Sequence, residues 1–111
     1  MNYRLLLVAM GVMFTSSVSA FADDITTFEM TIKDHKFSPA KIEIPEGKPF
    51  YVHVKNLDDT PEEFDSRSIN LEKVIAGNGE SNIFIHPLKA GKYGFMGETH
   101  PDSARGVVVV Q

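Results

Sequence analysis

Five side chains in this 111-residue sequence carry donors that a metal ion could share: His35, Glu62, Glu63, Glu98 and His100. Four of them lie in two polar segments, Asn56-Leu57-Asp58-Asp59-Thr60-Pro61-Glu62-Glu63-Phe64-Asp65 and Met96-Gly97-Glu98-Thr99-His100-Pro101-Asp102. Alternate residues of an extended chain share a face, so Glu98 and His100 are expected to point the same way. An imidazole beside a carboxylate is half of a metal site. Phe64 reads as a core residue, which puts Glu62 on its side and turns Glu63 and Asp65 away. His35 stands between Asp34 and Lys36 just before a turn. Each segment also has a plainer reading: a solvated acidic turn for the first, a surface imidazole before Pro101 for the second.

The donors define the chemistry. Carboxylate oxygen and imidazole nitrogen, with no sulfur, suit Fe, Mn, Zn or Cu(II) and disfavour soft Cu(I). Anionic oxygens hold a trivalent ion more tightly than a divalent one, by Coulomb attraction in a partly desolvated site. His53 alternates outward on its segment and His86 precedes Pro87, so both are expected to face solvent. Met30 and Met96 read as packing residues. Nucleophilic catalysis has little support: there is no Cys, no Gly-x-Ser-x-Gly elbow, and no base placed beside Ser66, Ser68 or Ser103. Ala76-Gly77-Asn78-Gly79 lacks the following Lys and helix of a phosphate loop and reads as a turn.

The elements that must position these groups are strands. Phe28, Met30 and Ile32 alternate with polar residues, then Phe37-Ser38-Pro39 interrupts. Alternation resumes over Lys41-Ile42-Glu43-Ile44, turns at Pro45-Glu46-Gly47-Lys48-Pro49, and continues from Phe50 to Lys55. Ser81 to His86 and Lys92 to Phe95 repeat the pattern around a Pro87-Leu88-Lys89-Ala90-Gly91 turn. Gly106 to Val110 is unbroken and apolar, as a central strand covered on both faces would be. Asn70 to Ile75 fits either a short helical turn or a strand. The expectation is an all-β Greek-key sandwich of about seven strands, a pattern that immunoglobulin-like and small-barrel folds satisfy equally well.

The N-terminus reads differently. Arg4, the apolar run Leu5 to Phe14 and the small-residue end Ala20-Phe21-Ala22 form a secretory signal peptide, residues 1–22, too short in its apolar part to span a bilayer. Cleavage after Ala20 fits the same pattern. Residues 23–111 are then one small domain that no disulfide can staple, since the chain has no Cys. Its removal takes away Arg4 and no acid, moving the net charge from −4 to −5. That balance argues against nucleic acid and anionic membrane surfaces as partners.

The closing run Pro87-Leu88-Lys89-Ala90-Gly91-Lys92-Tyr93-Gly94-Phe95-x-Gly97-Glu98-Thr99-His100-Pro101, with Gly106-Val107-Val108-Val109, resembles the C-terminal signature of cupredoxins. Phe37-Ser38-Pro39, Ile44-Pro45-Glu46-Gly47 and Val54-Lys55-Asn56 resemble the family's early strands. The resemblance implies that Gly97 stands where a blue-copper protein has its cysteine ligand and His100 where it has a histidine. Glu62 falls at the family's first histidine, and Ser103-Ala104-Arg105 replaces its methionine, so a His₂Cys copper centre cannot form. Thr60-Pro61-Glu62-Glu63-Phe64-Asp65-Ser66 together with Gly97-Glu98-x-His100-Pro101 resembles the cupredoxin-like periplasmic component of bacterial ferrous-iron uptake systems. That resemblance implies a periplasmic protein binding iron or copper through His100, Glu98 and Glu62, with Glu63 and His35 as further ligands. An iron permease and a periplasmic iron-binding protein of the same system would be its partners, and it would meet the membrane only through them. Two other function classes remain open: a metal-free docking module for a permease, and a ferroxidase.

Overall fold

In the computed structural model, residues 25–111 are described and form nine strands with no helix among them. The signal-peptide reading of residues 1–22 lies outside the described residues. In chain order the strands are β1 (Thr26–Lys33), β2 (Lys36–Ser38), β3 (Lys41–Ile44), β4 (Phe50–Asn56), β5 (Glu62–Ser66), β6 (Leu71–Ile75), β7 (Glu80–Ile85), β8 (Gly91–Gly97) and β9 (Arg105–Val110). They make two sheets, ordered β2-β1-β4-β7 and β3-β9-β8-β5-β6. The chain crosses between sheets after β2, β3, β4, β6 and β7. Those crossings make β1 parallel to β4 and β3 parallel to β9, while the remaining pairs are antiparallel.

The all-β sandwich is as expected, but the strand number is nine and not about seven. The extra strands are those whose side chains carry no readable alternation. β2 has three residues and pairs with β1 where the sequence showed only an interruption. β6 is an edge strand with Ile75 alone buried, so its burial shows neither a helical nor a strand period. The all-apolar β9 also departs from expectation: Val108 and Val110 are buried, whereas Val107 and Val109 are only half-covered. It lies between β3 and β8, and only its inner face is packed.

Inward residues of both sheets build the core: Met30, Ile32, Val52, Val54, Ile83 and Ile85 from one, Ile42, Ile44, Phe64, Ile75, Phe95, Val108 and Val110 from the other. Phe37, Phe64 and Phe95 pack together with ring centroids 4.8–5.7 Å apart. Each is two residues from a position at one pole of the sandwich: His35, Glu62 and Gly97 respectively. This aromatic cluster is the floor under that pole.

On the outer face of the smaller sheet, His53 bridges its neighbours. Its Nδ1 lies 2.8 Å from Glu29 Oε1 and its Nε2 2.7 Å from Glu80 Oε1, so one imidazole ties β1, β4 and β7. Both ring nitrogens can donate at once only in the imidazolium, and the two hydrogen bonds to Glu29 and Glu80 raise the His53 pKa above its ordinary value. A raised folded-state pKa gives stability that is fully present below the unfolded value, about 6.5, and is lost as pH climbs through the folded value. His53→Gln should therefore lower the melting temperature more at pH 6 than at pH 9. An equal loss at both, followed by circular dichroism, would show that the clasp acts without its charge.

Candidate metal centre

Three loops meet at the pole above the aromatic floor: the β1–β2 turn, the β4–β5 connection and the β8–β9 connection. β1 and β4 run parallel and end there, β5 begins there, and β8 ends against it. Each loop brings one donor. His35, Glu62 and His100 each offer a ligand atom, all within 4.8 Å of one another.

His100 and Glu62 are in direct contact, with His100 Nδ1 2.7 Å from Glu62 Oε2. Glu62 is only 2% exposed. A carboxylate buried so deeply is expensive unless its lone pairs are met. Here its Oε1 accepts the Thr99 amide at 2.9 Å and the Glu63 amide at 3.1 Å. Burial by itself would raise the Glu62 pKa, but the His100 contact and the two amides outweigh it and hold the carboxyl below its ordinary value. The group is thus ionised and oriented at neutral pH.

His35 arrives by a different device. β1 and β2 are joined by two residues, Asp34 and His35, with φ of 53° and 59°. Positive φ at both central residues is the signature of a type I′ hairpin turn, usually filled by Asn or Gly. The strained turn is clamped from outside. Asp58 accepts the amides of Asp34 (2.9 Å) and His35 (3.0 Å), and its Oδ2 lies 3.5 Å from His35 Nδ1. These backbone hydrogen bonds depress the Asp58 pKa. Ser103 donates from Oγ to the His35 carbonyl at 2.7 Å, joining the turn to the β8–β9 loop. The result is that the His35 and His100 rings stack with centroids 3.5 Å apart and planes 16° from parallel.

Asp58 is itself held. The buried Asn56 side chain donates to the Thr60 carbonyl at 2.8 Å and accepts the Asp58 amide at 3.0 Å. Asn56, Asp58 and Ser103 were not singled out in the sequence. Their role is to bond backbone groups distant in the chain, and no local pattern marks that.

Glu62 proves to be the inward acid, as its alternation with Phe64 implied. Glu63 and Glu98 stand apart from the three-residue group. β8 stops at Gly97 and the chain turns over residues 98–103, so Glu98 and His100 do not share a strand face. Instead Glu98 is exposed beside Glu63, its amide bonded to the Glu63 carbonyl at 2.9 Å. Desolvation, then repulsion from Glu98 and Glu72, raises the Glu63 pKa. His53 serves the clasp on the opposite sheet, and exposed His86 packs edge-on against Phe84. Met30 is a core residue, as expected, while Met96 lies half-covered on the outside of the five-stranded sheet.

Gly97 explains how Glu62 fits. A Cβ at residue 97 would stand 2.6 Å from the Glu62 carboxyl carbon, 2.7 Å from its Oε1 and 2.7 Å from the Ala104 Cβ. The Glu62 carboxylate therefore occupies the space that a side chain at position 97 would need.

The fold agrees with comparisons to known proteins. A family model described as a cupredoxin-like domain matches residues 6–110, and the chain belongs to that family. Auracyanin A, a blue copper protein of Chloroflexus aurantiacus, superposes with a TM-score of 0.68 at 14% identity, over 79% of this chain and 100% of its own. The metal-binding domain of the Cu(I)-exporting P-type ATPase CopA of Streptococcus pneumoniae does so with a TM-score of 0.67 at 15% identity, over 80% of this chain and 89% of its own. In sequence, the chain is 41% identical over 88 residues to the uncharacterized protein RP394 of Rickettsia prowazekii, covering 79% of this chain and 70% of that one. With no Cys anywhere, this member has no blue-copper centre.

If Glu62 needs the room at Gly97, Gly97→Ala should destabilise the domain by about 1–3 kcal/mol, as overpacking does. The same change should cost less when Glu62 is already Ala. Urea unfolding of the four proteins of this cycle measures the difference, and equal costs in both backgrounds would show that the carboxylate is not the obstacle.

Proposed function

We propose that this chain is an exported metal-binding protein that holds iron at His35, Glu62 and His100 before membrane transport. The observation that carries the reading is the convergence of two stacked imidazoles and one buried, ionised carboxylate on a preformed pole. Two nitrogens and an anionic oxygen, without thiolate, suit Fe²⁺, Fe³⁺ or Cu²⁺ and not Cu⁺. Imidazole and carboxylate donors coordinate only when free of protons at the ligating atom, so binding weakens in acid. Asp58 and Ser103 orient His35 from outside, as outer-shell partners do in metal sites. Glu63 and Glu98, exposed or half-buried beside the pole, add negative potential that draws a cation in.

The iron assignment draws on the resemblance to ferrous-iron uptake components, which also supplies the proposed setting. That setting is the periplasm, with an iron permease and a periplasmic iron-binding protein as partners. Copper is the second reading, favoured by fold neighbours such as a domain whose structure was solved with Cu(I). In a test tube copper should win whichever metal is native, because affinity climbs along the first-row series to copper. The carboxylate favours Fe³⁺ over Fe²⁺, which would make oxidation of bound iron downhill wherever an oxidant is supplied.

Thermal melts of residues 23–111 with Fe²⁺ (anaerobically), Cu²⁺ and Zn²⁺ test the site. At a hundredfold excess over Kd the melting temperature should rise by about 10 °C or more. His100→Ala and Glu62→Gln should abolish most of the rise, while Glu98→Gln should leave most of it. No rise with any of the three metals would favour a metal-free docking module. Oxygen-dependent loss of Fe²⁺ faster than the protein-free control would add ferroxidase activity to the assignment.

A further inference from the structure

The outer face of the five-stranded sheet has nothing packed on it among the described residues, and the row of side chains through Met96 on that face is sorted by charge. β8 is the central strand, with β9 and β3 on one side and β5 and β6 on the other. Cross-strand pairing places Arg105, Met96, Asp65 and Glu72 in one row across β9, β8, β5 and β6. The row therefore reads cation, apolar centre, anion, anion. Lys41 on β3 sits one step along, level with Gly94 and Val107, and pairs with Glu43 of its own strand at 3.5 Å. Glu63 sits one step along on the acidic side, level with Val74, which is 64% exposed.

A groove of about 730 Å³ runs over this row, with Gly94, Met96 and Val107 in its floor and Lys41, Arg105 and Asp65 at its sides. Asp65 is only 7% exposed, yet no cation lies within ion-pair distance of it among the described residues. No buried side-chain oxygen is left without a partner among the described residues, so the Asp65 carboxylate opens to the groove and is available to a cation brought there.

We propose that this face is the interface of a symmetric dimer, with a second copy of the chain as its occupant. A twofold axis along β8 turns the acidic half of this row in one copy onto the basic half of the same row in the other. It keeps each row at its own level. Met96 then meets Met96, and Arg105 of each copy meets Asp65 of its partner twice over, as an isologous interface requires. The half-covered valines of β9 become buried, which accounts for an apolar strand whose outer side is otherwise open. Five strands about 4.8 Å apart and some six residues long give roughly 480 Å² per copy. The total, on the order of 1,000 Å², belongs to a reversible, concentration-dependent dimer. Because an axis along β8 preserves strand direction, the two His35–Glu62–His100 poles open on the same end. One partner surface could address both.

Sedimentation equilibrium of residues 23–111 in EDTA, from about 10 µM to 1 mM, tests this independently of any metal. The protein should pass from monomer to dimer over that range, more weakly in 0.5 M salt. Arg105→Glu alone and Asp65→Lys alone should each weaken association at least tenfold. An equimolar mixture of the two should restore it, since every charge pair across the heterodimer is again opposite. Should Asp65→Lys fail to fold, Met96→Glu serves, because it sets two carboxylates against each other on the axis and should also abolish the dimer. A monomer at 1 mM overturns the proposal. So does a dimer indifferent to both Arg105→Glu and Met96→Glu, or a monomer whose groove takes a small carboxylate instead.

Discussion

Everything at the functional pole depends on one buried anion. Glu62 is nearly sealed from water, and a charge there is tolerated only because two amides and an imidazole point at it. Those partners come from β5 itself and from the loop after β8, so satisfying the carboxylate also ties the two chain segments together. Remove the hydrogen bonds and the desolvation cost stands uncompensated, several kcal/mol for a single buried ion. The same carboxylate fills the cradle above Gly97. Site chemistry and local folding are therefore one constraint.

The frame around that anion is assembled by relays of polar contacts. Asn56 holds Asp58, Asp58 holds the backbone of Asp34 and His35, and Ser103 holds the far side of His35. Each contact is short and directional, and together they keep His35 in a backbone conformation that histidine seldom adopts. Strain in the turn is balanced by the Asp58 carboxylate. Against the His100 ring, His35 completes a nitrogen-rich opening over an aromatic floor. The chain has no Cys, and a carboxylate oxygen lies beside the two imidazoles, a donor set that suits harder cations than a thiolate would.

The two outer faces of the sandwich differ in kind. The four-stranded sheet closes its surface with its own charges, since His53 satisfies Glu29 and Glu80 across three strands. On the five-stranded sheet, Asp65 and Arg105 stand on opposite sides of Met96 without meeting. Complementary charges kept a strand apart within one copy are positioned to meet between two.

The amino-acid sequence by itself determined the all-β class, because short segments of alternating apolar and polar residues are strands; immunoglobulin-like and small-barrel folds satisfy the same alternation, and the closed structure chose among them. It also determined the exclusion of a blue-copper centre, since no Cys exists to ligate. Phe64's phase favoured Glu62 as the inward acid, but one residue of register reverses Glu62 and Glu63, and the fold settled it. Tertiary structure decided the rest. β2 escaped notice because a three-residue strand leaves no period to read, and β6 stayed undecided between a helical turn and a strand because an exposed edge strand buries only one residue. Glu98 parts company with His100 because β8 ends at Gly97, and a strand's end is set by where its partner strand stops pairing. His35 joins the site through an Asp58 clamp twenty-three residues away in the chain. Periodicity reports what a residue's own strand does. Bringing His35, Glu62 and His100 from three chain segments to within 4.8 Å of one another is a property of the closed sandwich, and only folding creates it.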